Sequence, residues 1–170
     1  GAAMAAPPLA RLASRRRAVG TDVGDAQRGV VSVHVTGCVG LRAETDSYVL
    51  LTLSDPYGRS HRGVAQIQQA SPVVLQETSP YYRFKADFVA VSAASHLEVE
   101  ILEPASGVRA FLGRVPFAKK SEAKRLGIVR LPIRAVVREG GRIVDRFPLQ
   151  QAETGEMDMS VDWTPVQLDE

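Results

Sequence analysis

From Gly29 onward apolar and polar residues alternate in short runs. In GVVSVHVT (29–36), Val31, Val33 and Val35 fall on one side of an extended chain, and Ser32, His34 and Thr36 on the other. Successive side chains of a strand point to opposite faces, so this period of two predicts a half-buried strand. SYVLLTL (47–53) is apolar enough to lie centrally in a sheet. GVAQIQ (63–68) and PVVLQ (72–76) are shorter candidates. YYRFKADFVAV (81–91) sets Tyr82, Phe84, Ala86 and Phe88 against Arg83, Lys85 and Asp87. HLEVEIL (96–102) sets Leu97, Val99 and Ile101 against Glu98 and Glu100. FLGRVPF (111–117), RIVDRFPL (142–149) and EMDMSVDW (156–163) complete the series.

Turn-forming residues punctuate these runs: Asp55-Pro56-Tyr57-Gly58, Ser79-Pro80, Glu103 to Gly107, Gly140-Gly141 and Thr154-Gly155. Eight or nine short strands so spaced predict an all-β fold, an eight-stranded antiparallel β-sandwich. The one helix expected is the short basic run KKSEAKRL (119–126), and Gly140-Gly141 reads as a hairpin turn. Neither βαβ units nor repeats are visible. The chain divides into a basic Ala/Arg-rich tail (1–28), one sandwich domain (29–165) and an acidic end (166–170). A mitochondrial transit peptide shares the tail's composition; the tail is preferred because the signal is compositional only.

Composition narrows the chemistry. At 170 residues, 45% hydrophobic and 24% charged, the chain is long enough for one domain with a real core. No apolar run approaches the roughly 20 residues that span a bilayer. Cys38 is the sole cysteine, which leaves no internal disulfide framework or thiolate cluster; it reads as a buried structural thiol. There is no Asn and hence no N-glycosylation acceptor, in keeping with a cytoplasmic setting. The net charge of +2 conceals an asymmetry. Ten basic residues lie between Arg114 and Arg146 against three acids, whereas residues 150–170 carry six acids and no base. The two segments either form separate charged surfaces or pack side by side and neutralise each other.

Catalytic constellations are not apparent. His34, His61 and His96 have no partner at metal-ligand spacing, and neither a nucleophile elbow nor a phosphate loop occurs. A non-enzymatic protein without cofactors is expected. Nucleic acid is not expected as a partner, because the basic segment lacks interleaved exposed aromatics and any recognised motif.

Four landmarks, in order, resemble a C2 domain from about Gly29 to Pro165. They are GVVSVHVTGCVGL (29–41), DSYVLLTL (46–53), SPYYRFKADF (79–88) and HLEVEILEPASGVRAFLG (96–113), followed by a final hairpin, RFPLQQAETGEMDMSVDW. SDPYG (54–58) spells a motif of that family's calcium loops. Yet Asp46-Ser47-Tyr48-Val49 already fills the corresponding position, and SDPYG follows the strand, where Pro at the second position suits a turn. The family's calcium-binding members supply about five loop aspartates. Here the resemblance offers only Glu44, Asp46 and Glu103 as metal candidates, with Ala105 and Ala110 in place of other loop aspartates and Arg109 beside them. Calcium needs 6–8 oxygen ligands, so no physiological site is expected.

Some C2 domains bind phosphoinositides through a basic strand. The resemblance implies Arg59, His61, Arg62, Arg83 and Lys85 as equivalents here, with Lys119, Lys120, Lys124 and Arg125 of the basic segment as a second lipid-binding set. About forty residues towards the end are similar to C2 domains of the retinitis pigmentosa GTPase regulator-interacting protein type, which are calcium-free scaffolds of the ciliary transition zone. The resemblance therefore implies an adaptor for protein partners, associated with a cilium or centriole. The alternative is calcium-independent attachment to an anionic membrane surface.

Overall fold

The computed structural model describes residues 24–58, 65–105 and 123–167. The strand expected over 111–117 lies outside them, as do Arg59, His61, Arg62, Lys119 and Lys120. Val31, Val33 and Val35 are buried and the residues between them are not, so the first alternation is realised as β1, Arg28–Val39. Then follow β2 (Thr45–Asp55), β3 (Ala65–Ala70), β4 (Val74–Glu77), β5 (Tyr81–Ser92), β6 (His96–Glu103), β7 (Lys124–Pro132), a one-turn-and-a-half helix α1 (Ile133–Arg138), β8 (Arg142–Pro148) and β9 (Glu156–Pro165). The described residues thus hold nine strands, all paired antiparallel.

Two sheets face each other. One runs β5-β1-β9-β8 and the other β3-β2-β6-β7, with β4 pairing the start of β2. Their inward rows form the main core: Val31, Val33, Val35, Phe88, Met159 and Val161 from the first sheet meet Val49, Leu51, Leu53, Val99 and Ile101 from the second. Fully burying one such side chain is worth about 1.5–3 kcal/mol. β2 is apolar in both phases because it is covered on both sides. Tyr48, Leu50 and Leu102 form a second buried cluster against Ala70, Val73 and Ala123.

The inward row of β2 begins and ends on polar residues, and each ties the two sheets together. Ser47 shares a buried 2.6 Å hydrogen bond with the Tyr82 hydroxyl on β5. Asp55 accepts from Arg28 of β1 at 2.7 Å, from the Ser92 hydroxyl at 2.6 Å, and from the backbone N–H groups of Ser92 and Tyr57.

Of the basic run 119–126, residues 119–122 lie outside the described residues, and the rest departs from expectation. Lys124, Arg125 and Leu126 open β7 rather than close a helix, and β7 pairs with β6 from Glu103↔Lys124 to His96↔Pro132. Helix preference amounts to tenths of a kcal/mol per residue in so short a segment. The ladder and the burial of Ile128, Val129 and Leu131 outweigh it. The helix stands further on, at α1, where Ile133 and Val136 bury one face. Gly140-Gly141 is not a hairpin turn but the end of that helix. Gly141 N–H donates to Val136 O and Gly140 N–H to Val137 O, with φ of +94° and +90°, a pairing that needs glycine's left-handed freedom.

Candidate functional site

At one end of the sandwich the β1–β2 and β8–β9 connections, the end of β6 and the start of β7 line an open cavity of about 350 Å³. Leu41, Leu126 and Ala152 provide its apolar lining. Its charged lining alternates in sign: Arg42, Lys124 and Arg125 against Glu44, Glu103 and Glu153. Arg42 pairs with Glu153 at 2.7 Å, and Arg125 pairs with the buried Glu100 at 2.9 Å while donating to Gln151. Lys124 stands directly across the ladder from Glu103. Of the three carboxylates singled out in the sequence, Glu44 and Glu103 therefore reach one cavity. Asp46 does not line it; its Oδ1 accepts the Gln76 N–H of β4 at 3.0 Å. Among the described residues no three His, Cys, Asp or Glu side chains are grouped as metal ligands would be.

Where the basic and acidic segments are described, they meet across β8 and β9, and other bases of the basic segment find acids elsewhere. β8 lies against β9 so that Arg142 meets Asp162 at 3.4 Å and Arg146 meets Asp158 at 2.8 Å. On β7, Arg130 meets Glu98 of β6 at 3.5 Å, and on α1 Arg134 pairs with Asp25. The lipid-binding candidates that are described separate into two groups. Arg83 and Lys85 are exposed on β5, Arg83 with its guanidinium 5.0 Å from the Tyr81 ring centre. Lys124 and Arg125 lie on β7. β5 borders β3, whose Gln69 donates to Asp87 O, whereas β7 is bridged at Ile128 to Gln150, just beyond the end of β8. The two groups thus occupy opposite lateral edges and do not form one patch.

No protein-family model matches the sequence, and a search of the curated proteins finds no match. Solved structures do match. The C2A domain of plant extended synaptotagmin 1 superposes with a TM-score of 0.59 at 15% identity, covering 84% of this chain and 98% of that one. The fold is that of a C2 domain. A structure of extended synaptotagmin 2 comprising its SMP, C2A and C2B domains gives a TM-score of 0.61 at 15% identity, covering 92% of this chain. This chain spans only 30% of that longer one. Human GIVD cytosolic phospholipase A2 gives 0.60 at 18% identity, over 85% of this chain and 17% of that one. At such identities the likeness is one of fold.

Within the C2 fold SDPYG takes its place. Gly58 N–H donates to Asp55 O at 3.1 Å with Pro56 at the second position, a β-turn at the end of the sandwich opposite Glu44 and Glu103. Asp55 itself escaped the sequence reading as a structural residue. The signal was present, since 49, 51, 53 and 55 share the inward phase. Among the histidines, His34 lies half-buried on β1 and His96 is exposed at the start of β6. Cys38 is buried, and burial pushes its thiol up to about 11. No helix among the described residues is long and apolar enough to cross a membrane.

Proposed function

We propose that this C2 domain is a non-catalytic adaptor that binds protein partners without calcium. The observation that carries the reading is the cation set in the loop-end cavity. Where a calcium site would need converging carboxylates, Glu44 and Glu103 share the space with Arg42, Lys124 and Arg125. A divalent ion there would face fixed positive charge at short range, and Asp46 is already held by the β4 backbone. The pairing of Arg130, Arg142 and Arg146 with neighbouring acids speaks against a polybasic membrane face, because neutralised charges add little attraction to an anionic surface. A buried Cys38 with a raised thiol pKa speaks against a cysteine nucleophile.

A second reading, calcium-independent attachment to anionic phospholipid, is favoured by one observation: Tyr81, Arg83 and Lys85 are exposed side by side on β5. Co-sedimentation with phosphatidylserine vesicles, with and without phosphoinositide, in calcium or in chelator, separates the readings. The adaptor reading expects the protein in the supernatant in every arm. Pelleting that persists in chelator and is lost in Arg83→Ala/Lys85→Ala establishes the second reading, and pelleting only with calcium overturns both.

A further inference from the structure

We propose that two copies of this chain pair through β5, antiparallel, about a twofold axis at Ala86. β5 is an edge of the four-stranded sheet, with β1 on one side and, among the described residues, no strand paired to it on the other. Between Phe84 and Phe88 it runs in unbroken register with β1, from Val35↔Phe84 to Val31↔Phe88. The Asp87 carbonyl is reached by Gln69 of β3, from outside the sheet, so it points away from β1. Backbone groups alternate in direction along an antiparallel strand, and those of Lys85 therefore point to the same free side.

An axis at Ala86 sets Lys85 opposite Asp87 of the second copy, and Asp87 opposite its Lys85. Both residues then exchange backbone hydrogen bonds in closely spaced pairs, the second lone pair of the Asp87 carbonyl accepting beside Gln69. Both side chains are exposed on the same face, so each backbone pair also brings opposite charges together. An axis moved to Lys85 or Asp87 would set that charge against itself. The ends of the segment complete the fit. Val89, 69% exposed, falls opposite Arg83 of the second copy, whose guanidinium lies over the exposed Tyr81 ring. Positive φ at Arg83 (48°) and Ala90 (57°) breaks the ladder at both ends. These irregularities confine the pairing to a short contact and keep it from growing along the edge. The opposite edge, β8, carries Arg142, Asp145 and Arg146, which discourages further strand addition.

Sedimentation equilibrium of the chain over a range of concentrations, with charge-reversed variants, tests the pairing. The unmodified chain is expected to rise from monomer to dimer mass. Lys85→Asp and Asp87→Lys should each raise the dissociation constant by about tenfold or more, since symmetry converts two attractive cross-strand pairs into two repulsive ones. The double variant Lys85→Asp/Asp87→Lys should return to within about threefold of the original, because the swapped charges again face opposites. Circular dichroism checks that these surface changes leave the fold intact. A chain that stays monomeric up to about 1 mM, where the affinity would fall below roughly 4 kcal/mol, overturns the proposal. So does a dimer indifferent to the single reversals, or one that the double variant fails to restore.

Discussion

Asp55 occupies the inward phase of β2 behind Val49, Leu51 and Leu53, where a strand in a sandwich would ordinarily present an apolar side chain. Burial by itself would push its carboxyl up. The hydrogen bonds from Ser92 and Tyr57, together with the Arg28 charge, outweigh that and hold it below the usual value of 3.8. Its folded-state pKa being depressed, Asp55 stabilises the fold fully above that usual value, and the contribution disappears as pH falls through the lower folded value. Replacing it with Ala should cost about 3 kcal/mol in urea unfolding at neutral pH and flatten the loss of stability below pH ~4. At the other end of β2, Tyr82→Phe removes the hydroxyl bonded to Ser47 and should cost about 1 kcal/mol. The same denaturant curve reads it, and Ser47→Ala in the Tyr82→Phe background should add little further. Cys38 should resist alkylation by iodoacetamide in the native state and react once urea unfolds the chain, because burial both shields the thiol and disfavours its thiolate. The buried thiol was readable from its place among small residues after an apolar strand. The inward phase of Ser47 and Asp55 was readable too, but not what they bond, since their partners on β1 and β5 lie far away in the chain.

At the level of elements, alternation named the strands well where one face is buried. β1, β5, β6 and β9 fall close to their expected bounds, since a period of two survives any arrangement that covers one side. It failed at β7 and α1. KRLGIVRLP mixes charges with apolar residues without strict alternation, and a six-residue helix is too short to display a 3.6 period. Their states were set by neighbours: β6 supplies the ladder for β7, and the glycine pair stops α1. Close approach between elements is also testable. A Cβ on Gly29 would come within 2.6 Å of the Trp163 ring and 2.7 Å of Thr164 O, on the β1–β9 seam. Gly29→Ala should therefore lower stability by about 1–3 kcal/mol, seen as a reduced thermal midpoint with little change in the far-ultraviolet spectrum.

Across the whole molecule, β1 pairs with β9 along most of its length, so the first and last strands described sit together in the middle of one sheet. Removing residues 156–170 would expose both β1 and β8 at once, and the truncated chain should fail to show a cooperative unfolding transition. Such long-range pairings also place refolding in the millisecond-to-second range typical of β-sandwiches, which stopped-flow fluorescence of Trp163 can follow. The sequence by itself determined the class of fold and, for strands such as β1, β5, β6 and β9, the inward-facing residues, because burial of one face imposes a period those strands carry locally. It also announced opposite charges in two late segments. Only the tertiary structure decided that Arg142 and Arg146 meet acids across β8 and β9, that Glu44 and Glu103 share their cavity with cations, and that Lys85 and Lys124 stand at opposite edges. Those outcomes depend on which strands become neighbours, and neighbours far apart in the chain leave no periodic trace in it.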